Sequence, residues 1–342
     1  MDYRLSRRDD IVIRKLSFPG LFPVAELKGA LTNGSVSGSD ANTIKWQCSF
    51  DYVGGGLQDG DTIAIFAMLD NGYEQQEERL GTFRLFAGNT KMRGVSFNGY
   101  SLTKIADATR YREPYSVAAG DDPFEHIVNI LDSVGLRVAY IPSGTHAVRS
   151  ATSYLPESFT KLEIVNDLLS NAGFLAADTD VYGNVIFRQS SPTPDFASIV
   201  FNEGEASIVE DDPDIDHDWE DVHNVVMVYC ENADDSVLRA FAVNDSPTDT
   251  MSTLFRGEIT RVESMRDAES QEVVDQKALA LLAEERSKLE AVTISHAYRP
   301  LNLFDPVHIQ VGSVDGVYTV QSMDISLDPG LITQTRTRRY IL

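Results

Sequence analysis

The sequence predicts an α+β protein that is mainly β: two small antiparallel β-barrel domains with an inserted α+β domain. Three observations carry this. Short apolar or alternating runs separated by glycine-containing turns occur on both sides of the middle of the chain. Two capped amphipathic helix patterns and a hairpin pattern are confined to residues 121–188. A chain of 342 residues is also too long for one simple core, so two to four domains are expected.

The first barrel is expected over 1–108. Ile11-Val12-Ile13 is a short apolar run, and Lys45-Trp46-Gln47-Cys48-Ser49-Phe50 alternates so that Trp46, Cys48 and Phe50 share the buried side. The loop Val53 to Asp61 delivers a strand from Thr62 to Leu69. Strands follow at Leu80–Phe86 and Val95–Tyr100, and a short helix over Leu102–Ala106 leads out.

The inserted α+β domain is expected over 109–198, with helices near 123–134 and 160–172 and a hairpin at 174–188. Asp121 or Asp122 opens the first helix, with Pro123 in the first turn, where a missing N–H costs nothing. Its stripe is Phe124, Ile127, Val128, Leu131 and Val134, and Gly135 supplies the left-handed stop. Thr160-Lys161-Leu162-Glu163 is a capping box, followed by the face Val165, Leu168, Leu169 and Ala172 and closed by Gly173. Phe174–Asp178, a turn at Tyr182-Gly183-Asn184 and Val185–Arg188 form the hairpin.

Residues 199–250 read as a β segment that completes the first barrel or links to the next. Phe196–Phe201 is a strand candidate, and Asn224–Cys230 with Val237–Val243 form a hairpin around the turn Glu231–Ser236. The second barrel is expected over 251–342. Its helix, near 268–289, places Val274, Ala278, Leu281, Leu282 and Leu289 at helical spacing. Strands are expected at Val292–His296, Pro306–Val311, Val317–Ser326 and Thr333–Ile341.

Composition excludes several classes. No apolar run approaches the roughly 20 residues needed to cross a bilayer, and Met1–Arg8 lacks the apolar core of a secretion signal. Stable membrane insertion is therefore not expected, and a reducing cytoplasm is the expected place of synthesis. Cys48 and Cys230 each sit in a strand-like run, which predicts free buried thiols. The formal charge of −23, from 52 acidic and 29 basic side chains, lacks the basic footprint of a nucleic-acid-gripping protein. An acidic wall is compatible with DNA that passes without sticking, because it neutralises no phosphates; plain solubility explains the same charge.

Motif searches find no catalytic, cofactor or metal residues to assign. Gly54-Gly55-Gly56 lacks a following Lys-Ser or Lys-Thr, and Gly34-Ser35-Val36-Ser37-Gly38 has valine where a nucleophile elbow needs serine. Asp212, Asp214, Asp216 and Asp218 alternate in the acidic stretch 203–221, but an EF-hand would need glycine at His217 and glutamate at His223. A looser calcium site there competes with a solvated acidic face, and a transition-metal site on His217 and His223 ranks lower. His126 lies beside Glu125 with no partner spacing. Acidic residues are so numerous that a paired-carboxylate argument carries no weight, and no enzyme activity is expected.

Several anchors resemble a known family. Tyr115-Ser116-Val117-Ala118-Ala119-Gly120, the Pro-initiated helix ending at Gly135, Leu155-Pro156 before the capped helix and the hairpin with an Asp-x-x-Gly-type turn are similar to the inserted domain of tail hub proteins of tailed phages. These are baseplate hub or tail-associated proteins at the tail tip. Arg299–Val307 resembles the turn of that family's second barrel, with Asp305-Pro306 where Gly-Asp is common. The resemblance implies a structural, non-enzymatic virion protein: a homotrimeric ring that adapts a sixfold tail tube to a threefold tip and lets DNA pass through its lumen. The implied partners are a distal tail ring protein, the tape-measure protein and a tail spike or fibre. Many relatives carry a peptidase or muralytic domain after the second barrel, for which this chain leaves no room. One alternative is a receptor- or carbohydrate-binding tail module using Tyr111, Tyr115, Tyr140 and Tyr154, for which packing is the stronger reading. A second alternative is a cell-wall hydrolase.

Overall fold

A computed structural model describes residues 8–27, 30–86, 90–91, 94–144, 146–189, 197, 199–204, 207–216, 222–231, 237–265, 268, 270–287 and 290–339. The architecture is mainly β. Among the described residues, one large sheet contains 14 strands, and its pairings run as an open path rather than as two closed rings.

The first half of that sheet is antiparallel throughout. Ala30–Ser39 pairs with Trp46–Val53, which pairs with Gly94–Ser101, then Gln75–Phe86, Thr62–Asp70, Arg8–Leu16 and finally the edge strand Pro23–Glu26. Alternation in Trp46–Val53 works as expected at Cys48, Phe50 and Tyr52, which are all buried. Trp46 is only half-buried. Its indole lies flat over Gly38 on the neighbouring strand, where an added Cβ would sit 2.6 Å from the ring.

The second half is built from Ala291–Ala297, Ile332–Arg339, Val314–Ser326 and Pro306–Val311. Two strands from 199–216 join it: Ile199–Asn202 runs parallel to Pro306–Val311, and Asp214–Asp216 runs antiparallel to Ala291–Ala297. The halves meet where Ser322–Ser326 pairs with Ser35–Ser39. One core serves both. Phe50, Ile65, Phe83 and Leu85 from the first half share it with Phe201, Ile294, Ile309, Tyr318 and Ile325 from the second.

The insert has its own core, made by Phe124, Ile127, Leu131, Leu162, Val165, Leu168, Phe174 and Phe187 among others. The helix Pro123–Asp132 starts at Asp122, whose carboxylate accepts the Phe124 amide, and it buries Ile130 while leaving Val128 half-buried. The helix Lys161–Asn171 carries both capping-box hydrogen bonds, Glu163 N–H to Thr160 Oγ1 at 3.2 Å and Thr160 N–H to Glu163 Oε2 at 2.7 Å. The hairpin is short, pairing Asp178–Thr179 with Val185–Ile186. Its turn docks on the large sheet: the Thr82 hydroxyl donates to Val181 O at 2.7 Å. Gly183 has φ 88°, and an added Cβ would lie 2.9 Å from Leu102.

The expected hairpin Asn224–Cys230/Val237–Val243 pairs with neither barrel-like half. Val225–Glu231 lies between Val237–Val243, antiparallel, and Thr260–Met265, parallel, in a separate three-stranded sheet. The helix Gln271–Ser287 covers that sheet, so Val274, Ala278, Leu281 and Leu282 meet Val226, Val228, Cys230, Ala240 and Ala242. Residues 225–287 thus form a sheet-and-helix unit between the strands at 199–216 and those at 291–339. Val237–Val243 carries the chain back along the central strand, and 244–259 joins it to Thr260 at the end beside Val225, a connection about which strand periodicity carries no information. Residues 232–236 of the expected turn, Phe196, Leu289 and Ile341 lie outside the described residues.

Candidate functional site

The surface that sets this molecule apart is the outward face of the large sheet where its halves join. With Val36, Cys48, Phe50, Met323 and Ile325 turned into the core, the period of two turns their neighbours outward. The register aligns these neighbours into cross-strand rows. One row reads Ser295, Gln334, Asp324, Ser37, Gln47 and Tyr100. A second reads Thr293, Arg336, Ser322 and Ser39, and a third reads Ser326, Ser35, Ser49 and Asn98. The centre is a shallow concavity of about 470 Å³ lined by Ser37, Ser39, Gln47, Ser322, Gln334 and Arg336, among others.

The face is polar yet nearly uncharged. Arg336 is paired with Asp216 at 2.9 Å and Arg338 with Asp40 at 3.8 Å, so the cations of this strand are already answered. Asp324 faces outward at the centre, and burial among its neighbours raises its carboxyl above the ordinary range. The folded protein therefore holds the Asp324 proton more tightly than the unfolded chain does. The resulting cost is present above the raised pKa and disappears as pH falls below the unfolded value. Asp324→Asn is accordingly expected to raise the thermal midpoint near neutral pH, with the difference from the parent closing in acid. A midpoint that drops at pH 7 would contradict this.

The remaining sequence candidates are scattered. Asp212 is exposed, Asp214 and Asp216 sit in an edge strand, and His217 and Asp218 lie outside the described residues. His223 is engaged elsewhere: its backbone N–H and its Nδ1 are each 3.0 Å from Glu285 Oε2. Among the described residues, no group of three or more His, Cys, Asp or Glu side chains is set to hold a metal ion. Cys48 and Cys230 are buried thiols outside any disulfide; burial pushes the Cys48 thiol up, and Cys230 Sγ accepts the Ala268 amide at 3.1 Å.

The four tyrosines do not share one exposed face. Tyr154 is a core residue whose hydroxyl donates to Asp167 at 2.7 Å. Tyr111 and Tyr115 stack at 4.7 Å, half-buried, with Lys161 Nζ 4.6 Å from the Tyr111 ring centre. Tyr140 is exposed, and its hydroxyl donates to Phe187 O. His126 has partners that its local spacing did not reveal: its Nδ1 lies 2.8 Å from the Tyr115 hydroxyl and its Nε2 3.0 Å from Asp121. Tyr115 is eleven residues away, on the strand Tyr115–Val117 that pairs with Thr152–Tyr154.

The fold is that of phage and prophage tail proteins. No protein-family model matches the chain, and no curated protein is similar to it in sequence. Solved structures are similar over nearly the whole length. The tail protein from Neisseria meningitidis MC58 superposes with a TM-score of 0.65 at 14% identity, covering 97% of this chain and 96% of that one. The prophage MuSo2 43 kDa tail protein from Shewanella oneidensis gives 0.63 at 12% identity, over 96% and 98% of the two chains. Prophage tail protein gp18 from Listeria monocytogenes EGD-e gives 0.58 at 12% identity, over 97% and 95%.

Proposed function

We propose that this chain is a structural, non-enzymatic hub protein of a phage tail tip or baseplate. Three copies close into a ring that adapts a sixfold tail tube to a threefold tip and lets DNA pass through its lumen. The observation that carries the reading is the joint at Ser35–Ser39 and Ser322–Ser326, which makes two antiparallel halves into one surface. Three such chains offer six sheet halves around an axis, the number a sixfold tube presents. The hydroxyl and amide rows facing outward there suit a lumen wall. They exchange hydrogen bonds with water and present no array of free cations, so passing phosphates release few counterions and bind weakly.

In this reading the strands at 8–101 and those at 199–216 and 291–339 are the two ring-forming modules, and the insert at 109–198 decorates the outside. The ring meets a distal tail ring protein on one side and a spike or fibre on the other, with the tape-measure terminus in the lumen. The virion tail tip is its place after assembly in the host cytoplasm.

Light scattering on the purified chain is expected to give three times the mass of one copy, and negative-stain images a ring with a central hole. Duplex DNA of about 30 base pairs should show no saturable binding at low salt. A monomer at every concentration, or a compact particle without a hole, would end the reading.

A further inference from the structure

Among the described residues, the three-stranded sheet of Val225–Glu231, Val237–Val243 and Thr260–Met265 is covered on one side only. Val226, Val228, Cys230, Ala240 and Ala242 face the helix Gln271–Ser287. The alternate residues face outward: Met227 sits between Phe241 and Val262 in the register, with Val243 in the next row, while Val237 lies two rows the other way opposite the exposed Glu231. Phe241 is 62% exposed and Val262 54%, and Leu254 and Phe255, at 64% and 63%, project from the short helix Thr253–Arg256 that follows. Isolated exposed apolar residues are ordinary, but a contiguous row across three strands is not.

We propose that this face is covered by a second copy of the chain, one of the contacts that close the ring. The inference rests on the hub reading above and adds where the copies touch.

Two observations favour a second copy. The first is area: three strands about 4.8 Å apart and six residues long at about 3.3 Å each span roughly 300 Å². A stable pairwise interface needs about 800 Å² per partner, so the face is too small to hold a partner alone and fits one contact among several. A ring supplies the others. A threefold ring also uses two different surfaces on each copy, and a second apolar element stands apart from the first. Phe22 and Val24, 68% and 63% exposed, lie at the edge strand Pro23–Glu26, which among the described residues pairs on one side only.

The second observation is charge. Copies carrying −23 each repel over most of their surfaces, and contact is cheapest where carboxylates are missing. The row Phe241, Met227, Val262 has none, and the adjoining row places the exposed Arg239 opposite Tyr229. Among the described residues Arg239 makes no ion pair, so it is a cation turned toward an acidic neighbour of its own kind.

The test is the mass of the full-length chain by sedimentation velocity, with circular dichroism as the folding control. The parent is expected as a trimer, and Phe241→Lys with Val262→Lys as a folded monomer, a threefold drop in mass. Tyr73→Lys, at a residue 93% exposed on a distant hairpin, should remain trimeric. If the lysine pair fails to fold, Phe241→Ser with Val262→Thr is read instead and should weaken the trimer at least tenfold. A folded variant that stays fully trimeric overturns the inference and leaves the hub reading standing. A monomeric parent overturns both.

Discussion

Glu285→Ala is expected to remove about 3–5 kcal/mol from the 225–287 unit, the usual loss when one member of a buried charged pair is deleted. The Glu285 side chain is fully buried, and both oxygens are used. Oε1 accepts from Arg261 Nη1 at 2.8 Å, while Oε2 accepts the His223 backbone N–H at 3.0 Å and lies 3.0 Å from His223 Nδ1. The carboxylate therefore ties the helix to an outer strand and to the entry of the central one. Alanine leaves the His223 amide without its acceptor and takes away the nearest counter-charge of Arg261, which keeps only Glu284 at 3.4 Å and Glu263 at 3.5 Å. Glutamine retains the shape and one acceptor, so Glu285→Gln should cost less than half as much. Hydrogen exchange reads the unit directly: amides of Val226 and Val228 should lose about a hundredfold or more in protection, since 1.4 kcal/mol is a factor of ten. Protection within threefold of the parent would show that the pair contributes little.

That carboxylate shows where sequence reading stops. Glu285 falls on the buried stripe of its helix, four residues after Leu281 and three after Leu282, so spacing places a carboxylate on the covered face without naming what it pairs with. Its partner is Arg261, 24 residues earlier on a strand whose parallel pairing with Val225–Glu231 leaves no local signal in the sequence. Local signals were legible. The Thr160–Glu163 capping box, the Asp122 cap before Pro123 and the alternation at Cys48 and Phe50 all depend on residues within one or two turns. The α+β, mainly β class followed from them, as did the likeness to phage tail proteins.

What local spacing cannot carry is which strand lies beside which. The hairpin at 225–243 has the same alternation whether it completes a barrel or founds a separate sheet, and only the pairing with Thr260–Met265 separates the two. The outward rows were hidden for the same reason. Ser37, Gln47 and Asp324 are unremarkable polar residues in three strands, and they become one surface because Ser322–Ser326 pairs with Ser35–Ser39 across nearly the whole chain length.

Ser37→Pro should break that joint. Ser37 stands in the middle of the Ser35–Ser39 segment and has a partner on each side, Asp324 on one strand and Gln47 on the other. Asp40 N–H to Gln321 O and Leu327 N–H to Gly34 O place the joint's own hydrogen bonds at Gly38 and Val36, so proline at 37 removes an N–H from the Gln47 side and acts on the joint by fixing φ near −65°, away from the extended value of an antiparallel strand. The pairing between the halves centres on Ser322–Ser326 with Ser35–Ser39 and is closed at its ends by Asp40 N–H to Gln321 O at 2.9 Å and Leu327 N–H to Gly34 O at 2.8 Å, so a distortion at its centre weakens the register from the middle. A cost of about 3 kcal/mol or more is expected, by analogy with proline inside other hydrogen-bonded elements. Ser37→Thr keeps the hydroxyl and adds a β-branched side chain that strands accept, so it should be neutral within about 0.5 kcal/mol. The two substitutions separate the role of the joint from that of the outward hydroxyl. If continuity of the sheet builds the ring, proline abolishes ring particles in images while threonine leaves them intact. Rings that survive Ser37→Pro with an unchanged melting midpoint would mean that the halves are held by their shared core alone.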